Sequence, residues 1–251
     1  MNTLLSFEIP IVACLLAASV SLRSGPPEAC QWRESSAQNC GVKELTCANG
    51  IIVRVSSGGG ILTSKDGSGW GEAQLGICTF VRSVTFGQGL IVAVGGSYVD
   101  VPGAILTSRD GVTWVRRHAT NKVNLHDVTY GDGIFVATGD SGTILTSMNG
   151  IKWKAQRSGT SASLAGIAYG NGVFVAVGED GTLLTSPDAI HWGSQRSSVS
   201  VYLGKVFYRN DGFCAVGHGT IVSSTDGRSW HSTNVELAVA HSQTNAVIRA
   251  K

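Results

Sequence analysis

The residues with the most reactive potential sit around Gly139-Asp140-Ser141-Gly142-Thr143, where a carboxylate flanks a hydroxyl in a glycine-rich stretch, and His126 and Asp127 precede it. Serine, imidazole and carboxylate are the groups of nucleophilic acyl transfer, but such a triad is defined by geometry and not by a string. The same slot holds Gly178-Glu179-Asp180-Gly181-Thr182 and Gly217-His218-Gly219-Thr220 further on. The stretch therefore reads as a recurring turn, and no catalytic residue is assigned to it. Tyr130, Tyr169 and Tyr208 also share one recurring position and read as packing residues rather than nucleophiles. Six cysteines are present, Cys14, Cys30, Cys40, Cys47, Cys78 and Cys214. None forms a C-x-x-C pair with partner histidines, so neither a metal site nor a cofactor is expected.

The elements that must position these groups come from a repeat. SKDGSGW ends at Trp70, SRDGVTW at Trp114, SMNGIKW at Trp153, SPDAIHW at Trp192 and STDGRSW at Trp230, at spacings of 44, 39, 39 and 38 residues. That period marks a propeller or a solenoid. Within one copy, Leu125 to Tyr130 alternates as a strand, Asp132-Gly133 makes a tight turn, and Ile134 to Thr138 is an apolar strand. Thr143 to Ser147 is a third strand, and Lys152 to Ala155 starts a fourth. Asn49-Gly50, Gln88-Gly89, Asn171-Gly172 and Asp211-Gly212 fill the first turn in the other copies. Hairpin turns force antiparallel neighbours, and four short strands per period make a propeller blade. The predicted fold is an all-β propeller with five clear four-stranded repeats (about 42–75, 76–119, 120–158, 159–197 and 198–235) and an incomplete sixth blade. The last would form from the strand around Trp32 and the C-terminal strands.

In each repeat the Asp or Asn (Asp66, Asp110, Asn149, Asp188, Asp226) opens a turn by accepting backbone N–H groups. The Trp (Trp70, Trp114, Trp153, Trp192, Trp230) then packs across the blade interface. These roles are structural. The motif resembles the Asp-box, or BNR, repeat (S-x-D-x-G-x-T-W) of sialidase-like, sortilin-like and photosystem II assembly-factor-like propellers. The chain departs from it in reading D-G where the pattern has D-x-G, and further at Asn149 and Ala189. The resemblance implies the fold and leaves activity open, since one scaffold hosts many functions. The Arg-Ile-Pro or Arg-Leu-Pro entry characteristic of sialidases is absent.

Function is sought where the repeat breaks. Counting 12 and 13 residues past each Trp gives Arg82 and Ser83, His126 and Asp127, Ala165 and Gly166, Gly204 and Lys205, with Lys43 and Glu44 in the first copy. These positions are expected at the mouth of the central channel, on the face opposite the Asp-box turns. Repeat two adds a loop there that carries Tyr98. Arg82, Tyr98, His126, Asp127, Lys205 and Glu44 are thus the candidate ligand-binding residues. Net charge is +2 with no basic run, which excludes a nucleic-acid footprint. The reading is a non-catalytic binding or scaffold propeller for a glycan, a small anion or a protein. A degenerate sialidase-like glycoside hydrolase is the alternative; it would need two carboxylates, and only Glu44 and Asp127 are at hand.

The apolar stretch from Ile9 to Leu22 is too short for a transmembrane span. Residues 1–22 read as a signal peptide or lipoprotein signal, with Ile11-Val12-Ala13-Cys14 similar to a lipobox, and 23–251 as one propeller domain. The expected location is secreted, periplasmic or cell-envelope, with a disulfide among Cys30, Cys40 and Cys47 compatible with export.

Overall fold

A computed structural model describes residues 22–23, 42–56, 58–73, 75, 80–96, 103–117, 123–238 and 247–250. These residues form five sheets, each built on four antiparallel strands in sequence order. The sheets are blades 1 (residues 42–72), 2 (80–117), 3 (125–156), 4 (164–194) and 5 (203–238). The only helical turn among the described residues is a 3-10 turn at Glu179–Gly181. The protein is a β-propeller. No helix among the described residues is long and apolar enough to cross a membrane.

Turn chemistry fixes each blade. The first hairpin has positive φ at both central residues: Asn49-Gly50, Gln88-Gly89, Asp132-Gly133 and Asn171-Gly172, the geometry that matches strand twist. Blade 5 differs from the sequence reading by one residue. Its turn is Asn210-Asp211 (φ 49° and 60°), and Gly212 already pairs with Arg209. Asn and Asp tolerate the left-handed region best among non-glycine residues, so the pair replaces the glycine without moving the hairpin.

Each Ser-x-Asp turn is a closed hydrogen-bond unit. In blade 2, Asp110 Oδ1 accepts the Ser108 hydroxyl at 2.9 Å and the N–H groups of Val112 and Thr113 at 2.9 and 2.8 Å. Trp114 Nε1 then donates to Gly111 O at 2.8 Å. The pattern recurs in blade 3, where Asn149 Oδ1 accepts from Ile151 and Lys152, both at 3.0 Å. Backbone N–H donation, chiefly from Thr113, holds the Asp110 carboxyl at about 2, and donation led by Ser68 does the same for Asp66, at about 2. Asp188 and Asp226 are pulled down further by the N–H groups of His191 and Ser229 respectively.

The core lies between blades. Trp114 packs with blade 1 residues Val53, Val55 and Ile61, Trp153 with blade 2 residues Leu90 and Val92, and Trp230 with blade 4 residues Val173 and Val175. Trp192 sits against the cluster joining blades 3 and 4 through Val136 and Phe174. The tyrosines pack as the sequence suggested. Tyr169 lies 4.5 Å from Phe174 between centroids, and its ring covers Gly131 of the preceding blade, where a Cβ would collide with it.

The termini extend two sheets. Val247–Ala250 pairs antiparallel with the long outer strand of blade 5, His231–Ala238, and Leu22–Arg23 runs parallel to Val42–Ala48 of blade 1. The expected sixth-blade strand around Trp32, residues 1–21, Cys14, Cys30, Cys40 and Cys78 lie outside the described residues.

Candidate functional site

Every blade's first strand carries a register shift at one place, between Val42 and Glu44, Val81 and Ser83, Leu125 and Asp127, Leu164 and Gly166, and Leu203 and Lys205. The bulged residues are Lys43, Arg82, His126, Ala165 and Gly204. These are the pairs singled out by counting from each Trp. A bulge places two residues opposite one and re-aims a side chain, so strict alternation fails where the channel begins.

The second residue of the pair builds an inner hub. Asp127 is fully buried. Its Oδ1 accepts the Ser83 hydroxyl of blade 2 at 2.7 Å and the Val128 N–H of its own blade at 2.9 Å. Its Oδ2 accepts the Ile167 N–H of blade 4 at 2.8 Å. Lys205 Nζ reaches Oδ1 from blade 5 at 3.3 Å. Blade 4 presents Gly166 at this level, where a Cβ would stand 3.1 Å from the Lys205 Cα. The small residue leaves room for blade 5 to come close and for its lysine to pass. One carboxylate thus joins four blades.

The first residue of the pair builds an outer rim. His126 is half-buried and donates from Nε2 to Asp140 Oδ1 at 2.5 Å, while Asn124 Nδ2 donates to Asp140 Oδ2 at 3.0 Å. In blade 4, the corresponding turn places Glu179, whose Oε2 accepts the Ser163 N–H at 3.0 Å. Tyr202, just before the first strand of blade 5, is 43% exposed and lies 6.1 Å from the His218 ring. Burial raises the Tyr202 phenol most, the charge of Glu179 raises it further, and the Arg82 cation opposes both. Glu179 of blade 4 and Arg82 of blade 2 are therefore both within electrostatic reach of Tyr202. The Arg82 guanidinium also sits 5.7 Å from the Phe80 ring.

Of the residues expected at the mouth, Arg82, His126, Asp127 and Lys205 all lie at the bulges of their first strands, in two layers. Asp127 and Lys205 are engaged with each other in the hub, and Arg82 and His126 stand on the rim. Tyr98 lies outside the described residues, and the Glu44 side chain lies outside the described ones. Asp140, Glu179 and His218, read from the sequence only as turn residues, and Tyr202, which was not singled out, lie beside His126, Ser163 and one another. Three of them carried a legible signal: Asp140, Glu179 and His218 fill one repeat slot with three different polar residues. A separate cleft of about 480 Å³ opens on the outer side of blade 3, lined by residues that include Ser141, Thr143, Gln156 and Ser158. Among the described residues no cluster of His, Cys, Asp and Glu could hold a metal ion.

The fold is similar to that of YCF48 bound to D1 peptide, with a TM-score of 0.58 at 18% identity over 78% of this chain and 71% of that one. YCF48 from Cyanidioschyzon merolae gives a TM-score of 0.56 at 16% identity, over 80% and 77% of the two chains. Streptogramin B lyase gives 0.66 at 16% identity, over 82% and 72%. No protein-family model matches the chain, and no curated protein does. At these identities the common property is the propeller fold, which by itself carries no activity.

Proposed function

We propose that this chain is a non-catalytic, exported binding propeller whose channel mouth takes a polypeptide partner. The observation that carries the reading is the bulge common to all five first strands. It turns side chains onto one mouth, and there the repeat leaves residue identity free. A concave opening with a few aimed polar groups is where ligands bind. Arg82, Glu179, the His126–Asp140 pair and the partly exposed Tyr202 offer both charges and an aromatic face. Such a mixture suits a peptide backbone with polar side chains. One propeller of similar fold, YCF48, was solved with a D1 peptide bound, which supports a polypeptide over a glycan or a small anion.

The Ser-x-Asp turns are assigned to the Asp-box type that the sequence resembles, with structural roles only. The hydrolase alternative is disfavoured by Asp127. Its carboxylate is fully buried and already accepts from Ser83, Val128, Ile167 and Lys205, so it is not placed to meet a glycosidic oxygen. Export is supported by the apolar stretch from Ile9 to Leu22 and by Cys214, which is disulfide-bonded as exported proteins permit.

The test is a display library of peptides panned on the purified protein, with a glycan array and a small-anion screen run in parallel. Selected peptides should bind the wild type and lose at least tenfold in affinity to Arg82→Ala/Tyr202→Ala. Undiminished binding by that variant would move the site elsewhere. A hit on the glycan array alone would replace the polypeptide partner.

A further inference from the structure

The face opposite the mouth carries a row of apolar tips that the fold does not require. In the Ser-x-Asp turns of blades 2, 3 and 4, the residue two beyond the Asp or Asn is Val112, Ile151 or Ile190. These side chains are 56%, 41% and 49% exposed. Each has its backbone N–H held by the turn, Val112 by Asp110 at 2.9 Å, Ile151 by Asn149 at 3.0 Å and Ile190 by Asp188 at 2.9 Å. Blades 1 and 5 make the same bond from Ser68 at 2.9 Å and from Arg228 at 2.8 Å. A polar residue therefore serves the turn equally well, and packing does not account for an apolar one in three consecutive blades. Met148, 77% exposed, adds a fourth apolar side chain in the middle blade of the three.

The surroundings are basic. Arg109, Arg116, Lys152 and Lys154 are exposed within four residues of a tip in sequence, and the exposed His191 has its Nδ1 on Asp188 Oδ2 at 2.7 Å. The acidic groups in the same turns are fewer: Asp110 and Asp188, each with one oxygen accepting two N–H groups and a hydroxyl, are outnumbered by these cations, and blade 3 has neutral Asn149 in that place. Blades of one propeller repeat about a common axis, so equivalent tips lie on an arc in one plane. A flat arc of rigidly held apolar side chains among cations matches a flat surface that is apolar below and anionic above. We infer that this face docks on an anionic lipid surface, with Val112, Met148, Ile151 and Ile190 entering the headgroup boundary and Arg109, Lys152 and Lys154 meeting phosphates. Docked in this way, the mouth would face away from the lipid and stay open to its partner.

The test is co-sedimentation of the full chain with vesicles of phosphatidylcholine, with and without phosphatidylglycerol. Binding should require the anionic lipid and should weaken as salt is raised, because the attraction to headgroups is screened. The variant Val112→Ser/Ile151→Ser/Ile190→Ser places the blade 1 residue at each tip, and Lys152→Glu/Lys154→Glu reverses the charge. Each should lose at least tenfold in vesicle partitioning while keeping the wild-type urea midpoint. The N-terminal segment is identical in all these proteins, so its own lipid affinity cancels. No vesicle binding by the wild type, or equal binding by wild type and the triple serine variant, overturns the proposal. So does loss of a bound protein partner, rather than of lipid, in the triple variant.

Discussion

Single residues in the turns carry more of the fold than their size suggests. Gly150 has φ 69°, and a Cβ there would stand 2.6 Å from Leu90 Cδ2 of the preceding blade. Gly150→Ala combines a left-handed backbone cost of about 1–2 kcal/mol with overpacking of about 1–3 kcal/mol. It should lower stability by about 2–5 kcal/mol, read from urea midpoints at unchanged slope. Blade 4 shows the compensated case. Ala189 holds the same position at φ 61° with its methyl fully buried between blades 3 and 4. Ala189→Gly removes the strain and opens a small hole, and the two should nearly cancel, leaving stability within about 1 kcal/mol. The turn carboxylates set an acid limit. Asp66 and Asp110 titrate at about 2 in the folded chain, against about 3.9 when unfolded. A depressed carboxyl adds stability that is complete above the unfolded value and is lost as pH falls through the folded one. Stability should therefore decline between about pH 4 and pH 2, and Asp110→Asn, which copies blade 3, should flatten that decline in a pH series of thermal melts.

At the scale of the strand, the bulge is the deciding device. It lets consecutive residues serve different layers: His126 goes to the rim and Asp127 to the hub. Asp127→Ala would remove the acceptor of the Ser83 hydroxyl, of the N–H groups of Val128 and Ile167 and of the Lys205 ammonium. Unsatisfied buried donors cost about 1–3 kcal/mol each, so the loss should reach at least about 3 kcal/mol. Lys205 keeps some exposure, 26% of its side chain, and Lys205→Ala should cost less. A double-mutant cycle on the two residues, read by denaturant unfolding, should return a favourable coupling; additive effects would remove the hub from the account.

At the scale of the whole molecule, the propeller is a chain of blades in which each buries its faces against its neighbours. Stability in such arrays is close to a sum of units and nearest-neighbour interfaces. Position in the array therefore predicts the cost of one substitution. Trp153, 7% exposed, sits in blade 3 with apolar clusters on both sides, and Trp153→Ala should cost about 3–5 kcal/mol. Trp70 of blade 1 is only half-buried and has the Arg54 guanidinium 4.0 Å above its ring. Trp70→Ala should cost clearly less in the same urea titration, even though both residues close equivalent turns.

The sequence alone determined the repeat, the four strands of each blade and the Ser-x-Asp turns with their closing tryptophans. These depend on period-two alternation, on glycine or asparagine at positive φ and on hydrogen bonds spanning two or three residues, all of which are local. It also marked Arg82, His126, Asp127 and Lys205, because the repeat leaves their identities free. Tertiary structure decided what they do. Whether Asp127 meets solvent or four donors depends on how blades 2, 4 and 5 approach blade 3: the sequence distances of 44 to Ser83 and 78 to Lys205 are one and two repeat periods, which makes the three positions equivalent but does not bring their side chains together. The one-residue shift of the blade 5 turn, the His126–Asp140 contact and the approach of Glu179 and Arg82 to Tyr202 are of the same kind. Strand register and blade-to-blade packing set them, and both are settled only when all the sheets assemble.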